Sequence, residues 1–321
     1  MFLKSCGFII FCVIVLTNSI YAQKELEEIL KKADQQRQIY EETFKNIFAE
    51  ERKTYLGYDK NGNLKKSYQV ESNFLVYQSN RNSEVITEYR NVTKFDGKNV
   101  RINEQNTEKF FVDLLQSNSV NEELSKIKFQ SSRFDRDFVV SDLTLRQSPV
   151  LAEHLRPYFD FKIIGFDNGQ YQIQYQQTKK SPFVLVNNSQ STETKLTMDF
   201  GVALPKPIRE TNARVHGKLW IDANSFQICR EERELTFQPE NVPNPLIVFQ
   251  INFEFGNENL EILVPQKITL VSYLLKLQKK ELTTIKEAEI SFEYSEFSQM
   301  NVKVKSSGIL EPVVIKKQPK N

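Results

Sequence analysis

The chain has 321 residues, 40% of them hydrophobic and 26% charged, proportions ordinary for a globular protein. Its 43 basic and 41 acidic side chains nearly cancel, which argues against nucleic acid, whose binding draws on a surplus of Lys and Arg. With 24 Phe and 12 Tyr against only 10 Gly, it has material for a large core.

The N-terminus carries Lys4, an apolar run from Phe8 to Leu16, and a polar stretch ending on Ala22. This pattern predicts a cleaved secretory leader over 1–22, since the run falls short of the roughly 20 apolar residues of a membrane span. Ile20 is bulkier than usual three residues before the cut. The expected destination is periplasmic or secreted. Cys6 and Cys12 leave with the leader, so only Cys229 remains and no intramolecular disulfide is available. Residues 17–23 contain no Cys to which a lipid anchor would attach. A bacterial periplasm is the simplest fit; in a eukaryotic secreted protein Asn91-Val92-Thr93 and Asn187-Asn188-Ser189 would be glycan acceptors.

From Lys24 to about Ala49, Leu26, Ile29, Leu30, Ala33, Tyr40, Phe44, Ile47 and Phe48 recur at helical spacing. From Glu50 the period changes. Tyr55–Tyr58, the turn Asp59-Lys60-Asn61-Gly62-Asn63 and Leu64–Gln78 predict a β-hairpin, because Asn-Gly supplies the positive φ that such turns demand. Val85–Phe95 continues as a third strand. Residues 103–156 read as a mainly helical insertion, with helices expected over Glu108–Leu124 and Leu143–Leu155 and Pro149 interrupting the second.

Beyond Pro157 the alternation is strict. Tyr171, Ile173 and Tyr175 alternate with glutamines; Phe249, Ile251, Phe253 and Phe255 with Gln250, Asn252 and Glu254; Ala288, Ile290, Phe292 and Tyr294 with Glu289, Ser291 and Glu293. One dry face and one wet face is the signature of antiparallel strands. Arg214–Asp222 and Phe226–Phe237 form a further hairpin over Ala223-Asn224-Ser225, followed by Lys267–Leu277. The Pro-rich stretch Pro239–Pro245 joins strands at the sheet rim, and the Lys- and Pro-rich tail from Pro312 is expected to be disordered. About ten strands and few helices predict an α+β, mainly β fold. It would be a single domain over 23–311, a strongly curved antiparallel sheet or incomplete β-barrel with helices over its concave side.

The hairpin His216-Gly217-Lys218-Leu219-Trp220-Ile221-Asp222, followed by Ile228 and Arg230-Glu231-Glu232, resembles one in the periplasmic lipoprotein-carrier and outer-membrane lipoprotein-sorting proteins. Phe74–Gln78 and Glu88–Val92 also resemble segments of uncharacterised secreted bacterial proteins. The carrier resemblance implies an incomplete barrel with a helical lid and an apolar cavity for acyl chains, and an arginine near the cavity that holds the lid; no residue of this chain is assigned that part.

Catalytic candidates are few. His154 and His216 are the only histidines, and neither has a second His or Cys at ligand spacing. Their expected places are a surface helix and a strand start. Cys229 is expected to be a buried, inert thiol, with Arg230 on the opposite strand face. Asp59–Asn63 lacks the later Glu of a calcium loop, since position 70 is Val70. In the run Arg230–Glu234, solvated cross-strand pairing is favoured over acid–base catalysis.

No catalytic group, metal or cofactor is expected. The leading expectation is a non-catalytic binding protein that shelters a lipid, a lipidated protein or another long apolar ligand. Trp220, Phe249, Ile251, Phe253, Ile290 and Phe292 would line its cavity; core packing is the commoner fate of a lone strand tryptophan such as Trp220. An envelope protein partner and transient membrane contact are compatible with this role. The alternative is a structural or interaction module of the cell envelope with a filled core, using exposed edges or loops such as Pro239–Pro245.

Overall fold

The computed structural model describes residues 3–79, 81–82, 85–100, 104–135, 143–145, 147–186, 198–200, 213–238, 244–258, 260–278 and 281–299. The first helix, α1 (Leu3–Phe44), runs unbroken from the leader segment into the chain beyond it. It stops five residues before the expected Ala49. Ile47 and Ala49 are buried on alternate positions of β1 (Ile47–Tyr58) rather than on a helical stripe. Strand pairing outcompetes helix there because both of β1's neighbours are in place along almost its whole length.

The β1–β2 hairpin forms as the Asn-Gly signal predicts, with β2 spanning Leu64–Gln78. Gly62 takes φ +84°, and Asp59 Oδ1 accepts the amides of Asn61 and Asn63 at 2.8 and 2.9 Å. Those amide bonds hold the Asp59 carboxyl below its usual range. The loop is a capped turn. Next come β3 (Ile86–Phe95), β4 (Lys98–Asn99), α2 (Glu104–Leu115) and α3 (Val120–Ser132). The expected helix Glu108–Leu124 is thus broken in two. Ser119 caps α3 by accepting the Glu122 amide at 3.2 Å, and Glu122 accepts the Asn118 amide at 2.8 Å. These local bonds favour a new helix start over continuation.

The later strands are β5 (Phe159–Asp167), β6 (Gln170–Gln177), β7 (Val184–Val186), β8 (Met198–Phe200), β9 (Ala213–Asp222), β10 (Ile228–Phe237), β11 (Leu246–Gly256), β12 (Val264–Gln278) and β13 (Glu281–Gln299). One antiparallel sheet has the order β4-β3-β2-β1-β13-β12-β11-β10-β9-β6-β5, and β7 and β8 make a small parallel pair. The large sheet ends on β4 and β5 and is not closed into a barrel. The last strand lies beside the first, so the two chain halves are joined along β1 and β13.

The sheet's two faces carry different loads. The inner face holds Phe74, Ile173, Leu219, Phe253, Ile268, Ile290 and Phe292 together with Ile29, Leu30, Ala33, Tyr40 and Phe44 of α1, in one buried cluster. Helices α2 and α3 sit on the other face. Their Leu114 and Ile127 pack on Tyr89, Leu75 and Tyr77, which alternate with the inward residues of β2 and β3. So α1 covers the inner side and the helical hairpin covers the outer side, where all the helices were expected on the concave side. The Pro312 tail, residues 239–243 and Asn187–Ser189 lie outside the described residues.

Candidate functional site

The expected helix over Leu143–Leu155 is absent. Among the described residues this segment contains only the 3-10 turn Pro149–Leu151, and another, Arg156–Tyr158, follows it. The physical reason is a set of polar anchors that take its amides away from helix formation. Thr144 donates both its amide and its hydroxyl to Glu88 Oε1, at 2.5 and 2.6 Å. Ser148 donates its amide and hydroxyl to Glu231 Oε2, at 3.1 and 2.8 Å. Ser148 itself is left-handed, with φ 39° and ψ 58°, a conformation that costs a non-glycine residue about 1–3 kcal/mol and persists only where its surroundings impose it. The segment Leu143–Leu151 is therefore a strap tied across the inner face.

Each anchor is a buried ion pair. At the first, Arg90 Nε reaches both oxygens of Glu51 at 2.8 and 2.9 Å, and Arg90 Nη2 reaches Glu88 Oε2 at 2.8 Å. The Arg90 guanidinium also lies 5.5 Å from the ring centres of Phe74 and Phe292. Burial alone would lower the Arg90 pKa, but Glu51 and Glu88 outweigh it and hold the group above its ordinary value. Beside it, Lys53 is buried and bonded to Asp135; burial pulls its ammonium below the usual lysine range, Asp135 offsetting only part. At the second anchor, Glu231 accepts Arg233 Nε and Nη2, each at 2.9 Å, and the Tyr175 hydroxyl at 3.0 Å. Burial, reinforced by Glu231, pushes the Tyr175 phenol well above its ordinary value.

The strap measures the curvature of the sheet. Glu88 is on β3 and Glu231 on β10, six strands apart, or about 29 Å in a flat sheet. Thr144 and Ser148 are four residues apart, at most about 14 Å of extended chain. Side-chain reach makes up part of the difference, and curling of the sheet toward the strap makes up the rest. The strap is also fastened to α1: the Tyr40 hydroxyl donates to the Thr144 carbonyl at 2.9 Å, and Arg156 spans the Leu151 carbonyl and Asp34 at 3.0 and 3.3 Å.

Five of the six expected lining residues come together on the inner face. Phe249, Ile251, Phe253, Ile290 and Phe292 are between 0% and 6% exposed and belong to the one buried inner cluster. Phe253 lies against Arg233 and Phe255, and Phe292 against Arg90 and Tyr294. Trp220 is not with them. On β9 the inward positions are Ala213, Val215, Gly217, Leu219 and Ile221, so Trp220 projects from the outer face, half-buried under the Arg230 guanidinium at 4.7 Å. Its neighbours Leu219 and Ile221 are the dry ones.

The remaining candidates scatter. His154 lies on a turn with its ring edge-on to Phe183 at 4.7 Å, and His216 Nε2 meets Glu234 Oε2 at 2.8 Å on the outer face. The bond from His216 holds the Glu234 carboxyl below its ordinary range. A bulge between Ile228 and Arg230 places Cys229 and Arg230 on the same outer side, where burial raises the Cys229 thiol. Arg230, Glu232 and Glu234 face outward as expected, but Glu231 and Arg233 are the sealed inner pair, not a solvated one. Among the described residues no group of three His, Cys, Asp or Glu side chains is placed to hold a metal ion, and no helix is long and apolar enough to cross a membrane.

No family model matches the sequence, and no curated protein matches it. Three solved structures match it over most of its length. An outer-membrane lipoprotein-sorting protein domain from Vibrio parahaemolyticus is 10% identical, with 89% of this chain and 95% of that one covered and a TM-score of 0.35. A LolA-superfamily protein from Nitrosomonas europaea is 9% identical over 86% and 94% of the two chains, with a TM-score of 0.33. A DUF1329-family protein from Desulfovibrio piger is 10% identical over 88% and 94%, with a TM-score of 0.30. Likeness of this degree assigns no activity, so the functional argument rests on the chain's own geometry.

Proposed function

We propose that this chain is a non-catalytic binding protein of the cell envelope, secreted through its leader, whose inner sheet face takes a long apolar ligand. A lipid, or the acyl part of a lipidated protein, fits that chemistry. One observation carries the reading: an apolar sheet face is covered by a strap with almost no regular structure, held to the sheet at two points by polar bonds and to α1 through Tyr40. Segments held by few regular hydrogen bonds open most readily. Leu143 and Leu145 of the strap are buried with that face, and an acyl chain replaces such side chains like for like.

The magnitudes are matched. Breaking the four strap bonds to Glu88 and Glu231 and the Tyr40 bond to Thr144 costs about 7–13 kcal/mol, at about 1.5–3 kcal/mol for each bond to a charged group and about 0.5–1.5 kcal/mol for the neutral one. Burying a tail of roughly fourteen carbons gains on the order of 10 kcal/mol, at about 0.8 kcal/mol per methylene. Release of the left-handed Ser148 favours opening further. Glu231 keeps both bonds from Arg233 on opening, whereas Glu88 keeps one from Arg90, which it shares with Glu51, so the Glu231 end releases at the lower cost.

A filled interaction module is the rival reading, favoured by the near-zero exposure of Phe253 and Phe292. The test is uptake of a fluorescent fatty acid by the parent and by a Thr144→Val, Ser148→Ala variant, with native mass spectrometry of protein purified from a bacterial periplasm. Faster uptake by the variant and a copurifying lipid support the binding reading. Absence of both uptake and copurifying lipid in the two proteins overturns it in favour of the filled module.

A further inference from the structure

The outer face carries a second feature that inner-face binding does not use. A cleft of about 480 Å³ is lined by Trp220, Phe255 and Cys229, by Arg230, by the amides of Asn168, Gln170, Gln172 and Gln266, and by Asp167 and Glu254. It crosses β6, β9, β10, β11 and β12 in their sheet order, a trough about 19 Å wide at the usual strand spacing.

The local backbone is shaped for it. Register shifts fall between Ile163 and Gly165, between Ile228 and Arg230, and between Glu254 and Phe255, three bulges at the rim of one cleft. Bulges re-aim side chains and concentrate beside functional sites. Two glycines leave room for two of the amides. A Cβ at Gly256 would sit 2.3 Å from the Gln266 side chain, and one at Gly165 would sit 3.3 Å from Gln172 Oε1. At one end the β5–β6 turn, with Asn168 at φ 50° and Gly169 at φ 73°, presents Asp167 and Asn168 to the trough.

The lining selects a chemistry. Asp167 and Glu254 disfavour an anion, and the Arg230 charge is already met by Glu232 at 2.5 Å. An apolar ligand would strip water from four amides and return no hydrogen bonds. A neutral polyhydroxylated ligand suits all the groups at once, because amides and carboxylates pair with hydroxyls while the indole offers an apolar surface to ring C–H groups. The geometry points to an oligosaccharide-binding cleft with Trp220 as its platform. A trough across five strands suits an extended chain of several sugar rings better than a single one.

Trp220 is the only tryptophan in the chain, so its emission reports on the cleft directly. The mature protein is titrated with chitotetraose and with maltotetraose, the two arms separating N-acetylated from plain hexose chains, and binding is repeated by calorimetry. The expected result is a saturable emission change with at least one tetrasaccharide and at least tenfold weaker binding of its monosaccharide. Gln172→Ala and Gln266→Ala each weaken binding about tenfold, the equivalent of one hydrogen bond of about 1.4 kcal/mol. Trp220→Ala abolishes the calorimetric signal. The inference is overturned if neither tetrasaccharide at millimolar concentration changes the emission or gives heat, or if the two glutamine variants bind like the parent. Loss of fatty-acid uptake would leave it untouched, since Trp220, Gln172 and Gln266, which read out the cleft, make no bond to the strap.

Discussion

Removing the Glu231 carboxylate is the sharpest test of the strap's anchoring. Glu231 is 0% exposed and accepts two bonds from Arg233, one from Tyr175 and two from Ser148. Glu231→Ala takes from the Arg233 guanidinium, itself 4% exposed, the buried carboxylate that accepts its Nε and Nη2. Breaking one side of such a pair costs about 3–5 kcal/mol, a large share of a typical total of 5–15 kcal/mol. Replacing both partners, as Glu231→Leu with Arg233→Met, removes the orphaned charge and is expected to restore stability to within about 2 kcal/mol of the parent. Urea unfolding monitored by circular dichroism gives both numbers. Hydrogen exchange adds a second signature: the Ser148 amide loses its acceptor in both variants, so exchange over Leu145–Leu151 rises in both, although only one is globally destabilised. A single variant costing less than about 1 kcal/mol, or a double variant no better than the single, would refute the account.

Two further outcomes follow from the inner face. Gly217→Ala is expected to cost at least about 2 kcal/mol in the same urea assay, because its Cβ would meet the Glu232 carbonyl at 2.0 Å and the Tyr175 hydroxyl at 2.5 Å; a neutral result would mean that the Tyr175 hydroxyl does not lie over Gly217 on its way to Glu231. Tyr40, Tyr175 and Tyr294 are each pushed well above the ordinary tyrosine range, first by burial and then by Glu88, Glu231 and Glu51 respectively. Since their folded values exceed their unfolded ones near pH 10, the stability they contribute is complete below about pH 10 and declines as pH rises beyond it. An ultraviolet titration is expected to show these three ionising only as the chain unfolds, whereas reversible titration of all 12 tyrosines near pH 10 would contradict their burial.

Much of the sheet was legible because alternation is a local signal. Phe249, Ile251 and Phe253, and likewise Ala288, Ile290 and Phe292, announce an inward face within one strand, and β11 and β13 place them there. The Asn61-Gly62 turn was legible for the same reason. The helical hairpin was half-read, since the Ser117-Asn118-Ser119 break is a capping signal overridden on paper by apolar residues on either side. The strap was not legible, because its conformation is set by carboxylates distant in sequence. Yet those carboxylates had a signature. Glu231 and Arg233 are in phase with Leu235, Glu88 and Arg90 with Val92, and Glu51 and Lys53 with Ala49 and Tyr55. Opposite charges two apart in the dry phase of a strand mark buried ion pairing, within the pair at Glu231–Arg233 and Glu88–Arg90 and with other partners at Glu51 and Lys53, which meet Arg90 and Asp135. The same phase rule puts Trp220 with His216 and Lys218, on the wet side.

The buried charges argue for more than packing. Buried ion pairs seldom add stability over well-packed apolar residues of similar size, because desolvation offsets most of their attraction. A sheet built only to be solid would carry leucines at Glu88, Arg90, Glu231 and Arg233. Instead, each carboxylate is bonded to an arginine, Glu231 to Arg233 and Glu88 to the Arg90 it shares with Glu51, and accepts from the strap through Ser148 at one end and Thr144 at the other. Such a carboxylate can lose the strap and stay compensated, which neither an apolar anchor nor a lone carboxylate achieves. On the binding role proposed above, the Arg90 and Arg233 pairs would set how readily the strap lifts from the inner face.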